Sequence, residues 1–528
     1  MATAAALTAA ETLIASLNDA IGAPNVLVEE ADRRFYSTDV YNHVELPAAV
    51  VRPGSVEDIQ RVVRIAADAG APVVVRGGGA SYTDGYVHKR PGGITIDTSR
   101  LKAIEIDETN AYVTVEAGVT WAELHEALAK SGLRTPFWGP FSGLAATVGG
   151  SASQNSISHG TGAHGSSAEN ILSFDIVTGS GALRRTGAAG SKVGVPHYRA
   201  YGPDLTGLFC GDCGALGVKA RITLPLIRRR EAFETASFNF GSFEAMHAAM
   251  RAVAVEGIDD ENFGLDATLQ QGQIGRNEGV AAKADIAMRV MKSSGGLARG
   301  VKALAKMAAA GDRALKQSTY AVHYIVDGVD GAEARAKIAL VKKLATAHGE
   351  EIPNTVPTVV RGMPFAPLTN TLGPKGERWV PMHGLFAHDR VKPYHDALQA
   401  FWDKHRDAMD AHGIYSGAMF MTVRSTAFVY EPTFYWPDAR TIFHERMVPA
   451  DHLASVPSYA ASSEAAKLVD ELKHAVVDLM QDFGSAHLQI GKFYPYLDGR
   501  NAVAVALLKS LKAELDPKGI MNPGALGL

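Results

Sequence analysis

Three consecutive glycines, Gly77, Gly78 and Gly79, stand between Arg76 and the run Ala80-Ser81-Tyr82. With no Cβ atoms, such a run takes positive φ freely and lets a ligand lie against bare backbone. Its successive N–H groups form an anion-binding nest, and Ser81 adds a hydroxyl donor. A diphosphate suits that chemistry; a plain strand-to-loop turn is the competing reading. A second glycine-rich run, 147–165, is rich in small hydroxyl residues and suits contact with a large polar ligand. Its His159 and His164 lie five apart with no carboxylate or cysteine at ligand spacing. No metal is expected there, and the two read as loop histidines bonded to backbone. Arg424 ends an apolar strand, and its guanidinium fork matches a phenolate or a carboxylate as well as an exposed salt bridge.

The only two cysteines, Cys210 and Cys213, are spaced C-x-x-C. No second pair completes a zinc site, and the strand-turn-helix setting of a thioredoxin motif is missing. Two free thiols in a reducing compartment are expected, with a redox disulfide as the alternative.

The elements that must position these residues are legible. Val73-Val74-Val75 reads as a buried strand leading into the glycine loop. Before it, residues 46–53 form a short strand closed by proline. Ser55 then caps a helix to about Ala69, with Asp58 at N3 in a variant capping box and Gly70 as the stop. Residues 93–97 and 111–118 read as strands, Thr120 caps a helix over 121–131, and 171–177 with 181–186 make a hairpin-like pair. Residues 218–226 are a strand. An alanine-rich surface helix is expected over 4–20. Strands at 322–326 and 419–423 lie between long helices at 334–347 and 464–482.

At 528 residues the chain exceeds one ordinary core. Hydrophobic content of 46% with 20% charged residues describes a globular protein, and a net charge of −4 gives no reason to expect nucleic acid. The 53 glycines exceed the usual share, as wrapping a large cofactor requires. No signal peptide and no uninterrupted apolar stretch of membrane-spanning length is visible, so a cytoplasmic protein is the default. Residues 276–318 hold many more Lys and Arg than acids. They read as a solvated helical face, or as a contact with membrane lipid or a subunit.

The order of segments carries a resemblance. The glycine loop, the paired strands and Val148-Gly149-Gly150 are followed by Asp204-Leu205-Thr206-Gly207-Leu208-Phe209 and Gly214-Ala215-Leu216-Gly217-Val218. This resembles the FAD-binding domain of the vanillyl-alcohol oxidase / p-cresol methylhydroxylase (PCMH) superfamily, which also contains D-lactate and glycolate dehydrogenases. Residues 515–524 resemble that family's closing segment. The implied class is α+β: a two-part FAD-binding domain over 1–228 (core 45–228), an α+β substrate cap over 229–500, and a segment 501–528 returning to the FAD domain.

The resemblance also implies the site. Arg76, Gly77, Gly78, Gly79, Ala80, Ser81 and Tyr82 would hold the FAD pyrophosphate. Val148, Gly149, Gly150, Ser153, Asn155, His159, Gly160, Gly162, His164 and Gly165 would line the flavin and its ribityl chain, with Gly214, Gly217 and Val218. Asn522 would lie near the flavin. Some branches carry a flavin-linked histidine where Ala80 stands, so that link is absent. Arg378-Trp379-Val380-Pro381 resembles a cap segment that precedes another flavin-linked histidine; an ungapped match puts that histidine on Leu385, with His383 two residues early and His388 three late. Gln489-Ile490-Gly491-Lys492 resembles the D-2-hydroxy acid dehydrogenases, but their metal-binding cap motif is not found. The implied chemistry is hydride transfer from a substrate C–H to flavin N5 while a base takes a hydroxyl or phenol proton. His383 or His487 is the expected base, and Arg424 or Lys492 the cation that stabilises the reduced flavin. An aromatic alcohol or alkylphenol is the expected substrate, with a D-2-hydroxy acid, or a flavin-binding subunit of a complex, as alternatives. Oxygen, a quinone or a cytochrome remain open as electron acceptor, and a homo-oligomer is allowed.

Overall fold

The computed structural model describes residues 8–270 and 318–528. The basic stretch 276–318 falls, apart from Ser318, outside the described residues.

The glycine loop is delivered by a four-stranded sheet. Strands β1 (Val26–Leu27), β2 (Ala49–Val51), β3 (Val73–Arg76) and β4 (Ile94–Asp97) lie in the order β1-β2-β4-β3. β4 pairs in parallel with both β2 and β3, so the helix Val56–Ala69 crosses over between strands that are not neighbours. Ile59, Val62, Val63, Ala66 and Ala67 of this helix are buried against Val51, Val73 and Ile94. The Ser55 side chain accepts from Asp58 N at 3.1 Å, but the Asp58 carboxylate takes Gly54 N at 2.9 Å, so only half of the expected capping box forms. Gly70 closes the helix at φ 62°, the left-handed conformation that glycine reaches at least cost. The first helix is Ala9–Ile21, and it is no free surface element: Leu13 and Leu17 are buried in the same core. At the other edge of the sheet Ile520–Asn522 lie along β3, with Val73 N donating to Ile520 O and Asn522 N to Val73 O, both at 2.8 Å.

A five-stranded antiparallel sheet follows. Its strands are β5 (Ile104–Asp107), β6 (Tyr112–Glu116), β8 (Ser173–Val177), β9 (Leu183–Arg185) and β10 (Val218–Pro225), in the order β5-β6-β10-β8-β9. The short β7 (Leu133–Arg134) pairs with β11 (Ile227–Arg228). Thr120 and Glu123 close a full capping box on the helix Trp121–Leu128, three residues shorter than the pattern predicts.

The remaining strands build one antiparallel cap sheet: β12 (Ala232–Phe240), β13 (Glu261–Asp266), β14 (Tyr320–Gly328), β15 (Glu350–Ile352), β16 (Arg378–Pro381), β18 (Tyr415–Val423) and β19 (Ala427–Trp436), ordered β15-β12-β14-β13-β18-β19-β16. β17 (Gly384–Phe386) also pairs with β19. The expected helices appear as Gly331–Ala345 and Ser463–Asp482. The period of two along β19 sorts its side chains between two environments. Phe428, Tyr430, Phe434 and Trp436 pack with Val391, Tyr394 and Leu398 of the helix His388–Ala411 and with Val469, Leu472 and Val476 of Ser463–Asp482. Val429, Glu431, Thr433 and Tyr435 point the other way. Among the described residues no helix is long and apolar enough to cross a membrane.

Candidate active site

One cavity of about 270 Å³ runs from the glycine loop to the cap sheet. Its floor is bare backbone: Gly77, Gly78, Gly79, Gly149, Gly150, Gly214 and Gly217. Around them stand the hydroxyls of Ser81, Thr98, Thr147, Ser151, Ser153, Ser156 and Ser158. This donor set fits a diphosphate and a ribityl chain, so the residues present fit FAD. Lys219 lines the same wall, but its ammonium is buried and paired with Asp212. The cap side is apolar and aromatic, with Tyr82, Phe141, Leu368, Trp379, Met419 and Met421. Four polar residues stand among them, Asn370, Thr371, Glu431 and Gln489.

The expected cofactor residues take three kinds of position. Gly77, Gly78, Gly79, Ala80, Ser81, Tyr82, Gly149, Gly150, Ser153, Gly214 and Gly217 line the cavity. Arg76, Val148 and Val218 lie buried beneath it. The Arg76 guanidinium sits 4.2 Å over the Phe35 ring and 4.8 Å over Tyr36, and an added Cβ on Gly79 would lie 2.4 Å from its Nη2. Asn155, His159, Gly160, Gly162, His164 and Gly165 do not line the cavity. Instead His159 stacks on Trp138 at 4.4 Å, its Nε2 lies 2.6 Å from Pro364 O, and its Nδ1 lies 3.1 Å from Glu261. Asn522 is buried outside the cavity and donates from Nδ2 to Gly85 O at 2.8 Å and to Cys213 O, tying the closing segment to two loops of the site.

None of the four expected catalytic residues reaches the cavity wall. His383 lies behind Tyr82, its ring centroid 6.3 Å away, with Nε2 at 2.6 Å from Leu488 O. Burial pushes its pKa down to about 3, so the ring is neutral and Nε2–H donates to that carbonyl. His487 Nδ1 lies 2.9 Å from His383 O, and burial lowers this ring too. Lys492 donates to Val87 O at 2.5 Å, and burial pushes it down to about 7. Arg424 follows the end of β18, in a turn at φ 50°; its half-exposed side chain bonds Glu169 at 3.0 Å and His164 O at 3.1 Å. Glu431, which sequence reasoning missed, does reach the cavity wall. A signal was available: a lone carboxylate in a run, 427–436, built mostly from aromatic and β-branched residues.

Cys210 and Cys213 are free thiols. Burial pushes them up to about 11 and about 12. At neutral pH neither holds appreciable thiolate, the reactive form. The native protein is expected to react with an aromatic disulfide reagent at least about tenfold more slowly than free cysteine, and to release two equivalents once denatured. Rapid native labelling would contradict the burial.

Residues 47–187 match the family model for the FAD binding domain, and residues 493–526 that for the C-terminal domain of FAD linked oxidases. An uncharacterised FAD-linked oxidoreductase of Mycobacterium tuberculosis is 27% identical over 250 residues, 47% of this chain and 52% of that protein. Glycolate oxidase subunit GlcD of Bacillus subtilis is 28% identical over 234 residues, 44% and 48% of the two chains. The matches span about half the length of these curated relatives. The solved structure of p-cresol methylhydroxylase with substrate bound superposes with a TM-score of 0.69 at 17% identity, covering 98% of this chain and 96% of that one. The chain thus has a fold like that of p-cresol methylhydroxylase, and its glycine-rich cavity matches the FAD-binding domain model. More narrowly, the chain carries the FAD-binding domain and the closing segment of the FAD-linked oxidases, with FAD as its cofactor.

Proposed function

We propose that the protein oxidises a neutral, hydroxyl-bearing substrate, an aromatic alcohol or alkylphenol, with FAD as hydride acceptor at N5. One observation carries the reading: the cap end of the cavity is apolar and aromatic, and it holds a carboxyl, Glu431, but, among the described residues, no Lys or Arg. Among the described residues Lys219 is the only Lys or Arg on the cavity wall, and Asp212 engages it. A substrate carboxylate would meet Glu431 with no unengaged cation to hold it, and an unpaired buried charge is costly. Trp379 and Tyr82, 5.5 Å apart and edge to face, suit an aromatic ring instead.

The second reading is a D-2-hydroxy acid dehydrogenase. It is favoured by the similarity to the glycolate oxidase subunit and by Gln489, which reaches the cavity. Anaerobic mixing with aromatic alcohols and 4-alkylphenols on one side, and D-lactate and glycolate on the other, separates the two. Bleaching of the flavin by the first group alone is the expected result; bleaching by the hydroxy acids alone overturns it. Re-oxidation of the bleached protein by oxygen, a quinone or a cytochrome then identifies the acceptor. Bleaching by the purified chain also excludes a subunit that is inactive without its complex.

A further inference from the structure

We infer that Glu431 takes the hydroxyl proton of the substrate, with Tyr82 and Gln489 fixing where that hydroxyl lies; the assignment rests on the oxidation reading above. Register puts the carboxylate in place. Glu431 of β19 is directly opposite Met419 of β18, and Trp379 of β16 opposite Tyr435 of β19. Residues 379, 419, 421 and 431 all line the cavity. No donor among the described residues hydrogen-bonds the Glu431 carboxylate, so its lone pairs are open to a ligand. Its partial exposure is to the cavity.

The surroundings favour a ligand hydroxyl. Gln489 Nε2 donates to Tyr82 Oη at 3.0 Å, which fixes the phenol beside the carboxylate. Tyr494 Oη is held by His383 N at 2.8 Å. Tyr82 and Tyr494 are the titratable groups that face Glu431, one from the glycine loop and one from the 488–496 segment; β16 and β18 present only Trp379, Met419 and Met421. Burial alone pushes the Glu431 carboxyl up to about 8, so it is a much stronger base than an exposed glutamate. In alcohol oxidation the substrate O–H bond breaks with its proton going to Glu431, the C–H bond breaks with its hydride going to FAD, and a C=O bond forms. The base must be ionised, so flavin reduction is expected to speed up as pH rises toward about 8, and Glu431→Gln to remove that rising limb.

The deciding experiment needs no turnover. Binding of 4-nitrophenol to the FAD-loaded protein is measured by difference spectroscopy at about pH 6.5 and about pH 9.5, below and above ionisation of both acids. In the wild type both acids are protonated at the lower pH and one donates to the other, whereas at the higher pH both are anions and repel, so affinity should fall at least about tenfold. In E431Q the amide donates to the phenolate and the fall should vanish. 4-Nitroanisole, which has no proton to give, should bind the wild type without pH dependence. It decides the matter alone should E431Q fail to retain flavin. Equal pH dependence in wild type and E431Q, a pH-dependent anisole, or no binding of 4-nitrophenol by the wild type would each overturn the assignment. The expected binding pattern in a protein that no alcohol or phenol bleaches would instead defeat the oxidation reading and leave Glu431 as the hydroxyl acceptor.

Discussion

Gly78→Ala is expected to yield protein without flavin. A Cβ on residue 78 would lie 1.7 Å from Ala145 O and 2.5 Å from Ala145 C. Those atoms are backbone and cannot rotate away. Their loop is anchored, with Ala145 N and Ala146 N donating to Ser142 O at 2.9 and 2.8 Å and Trp121 N to Ala146 O at 3.2 Å. The two loops would have to part by an ångström or more, and both form the cavity floor. Overpacking a tight core costs about 1–3 kcal/mol when side chains yield, and a backbone clash exceeds that. Bound flavin should fall at least about tenfold, a little over 1.4 kcal/mol of affinity. The ratio of flavin to protein absorbance after gel filtration reads this. Gly241→Ala, where an added Cβ meets nothing within 4 Å, should match the wild type. A Gly78→Ala protein with full flavin would refute the close packing.

Arg134→Met should be the most destabilising single change at the joint between the FAD-binding half and the cap. Arg134 ends β7 and is buried; its Nη2 bonds Asp260 at 2.6 Å and Asp327 at 3.3 Å, and its Nη1 donates to Pro136 O at 2.8 Å. Arg361 pairs with Asp327 and lies 3.3 Å from Glu261. Two guanidiniums thus balance three buried carboxylates, with His159 beside Glu261. Burial alone would raise the Asp260 carboxyl, yet Arg134 and Arg361 outweigh it and hold Asp260 below the usual range. Removing Arg134 leaves three buried carboxylates facing the single guanidinium of Arg361, at a cost of about 3–5 kcal/mol. Urea unfolding measures it. Because the native Asp260 pKa is depressed, its contribution is present above the unfolded pKa of about 4 and is lost as pH falls. The deficit of the variant should therefore shrink on acidification. A deficit below about 1 kcal/mol, the range of an exposed pair, would mean that the cluster is solvated.

Local signals made much of the fold legible. Ser55, Gly70, the Val73–Val75 run and the glycine loop each state their conformation within a few residues, and the strand-helix-strand unit follows from them. What local signals do not carry is which strands become neighbours. β4 inserts between β2 and β3, and the cap sheet draws strands from residues 232 to 436. The site divided along the same line. Of the expected glycines, Gly77, Gly78, Gly79, Gly149, Gly150, Gly214 and Gly217 line the cavity, where only the absence of a side chain is needed, whereas Gly160, Gly162 and Gly165 do not. His383 and Lys492 have suitable chemistry, but long-range packing turned their polar ends onto Leu488 O and Val87 O. Glu431 became visible only once register set it opposite Met419.

The edge of β3 has a consequence for the order in which the protein matures. On a ribosome Val73–Arg76 emerges early, whereas Ile520–Asn522, which cover that edge, come more than 400 residues later. Until then the strand that presents the glycine loop has an unsatisfied edge, and Asn522 has not yet joined Gly85 to Cys213. Flavin loading is therefore expected to await the closing segment, and nascent chains stalled before residue 522 should be unable to hold the cofactor while exposing a strand edge open to chaperones.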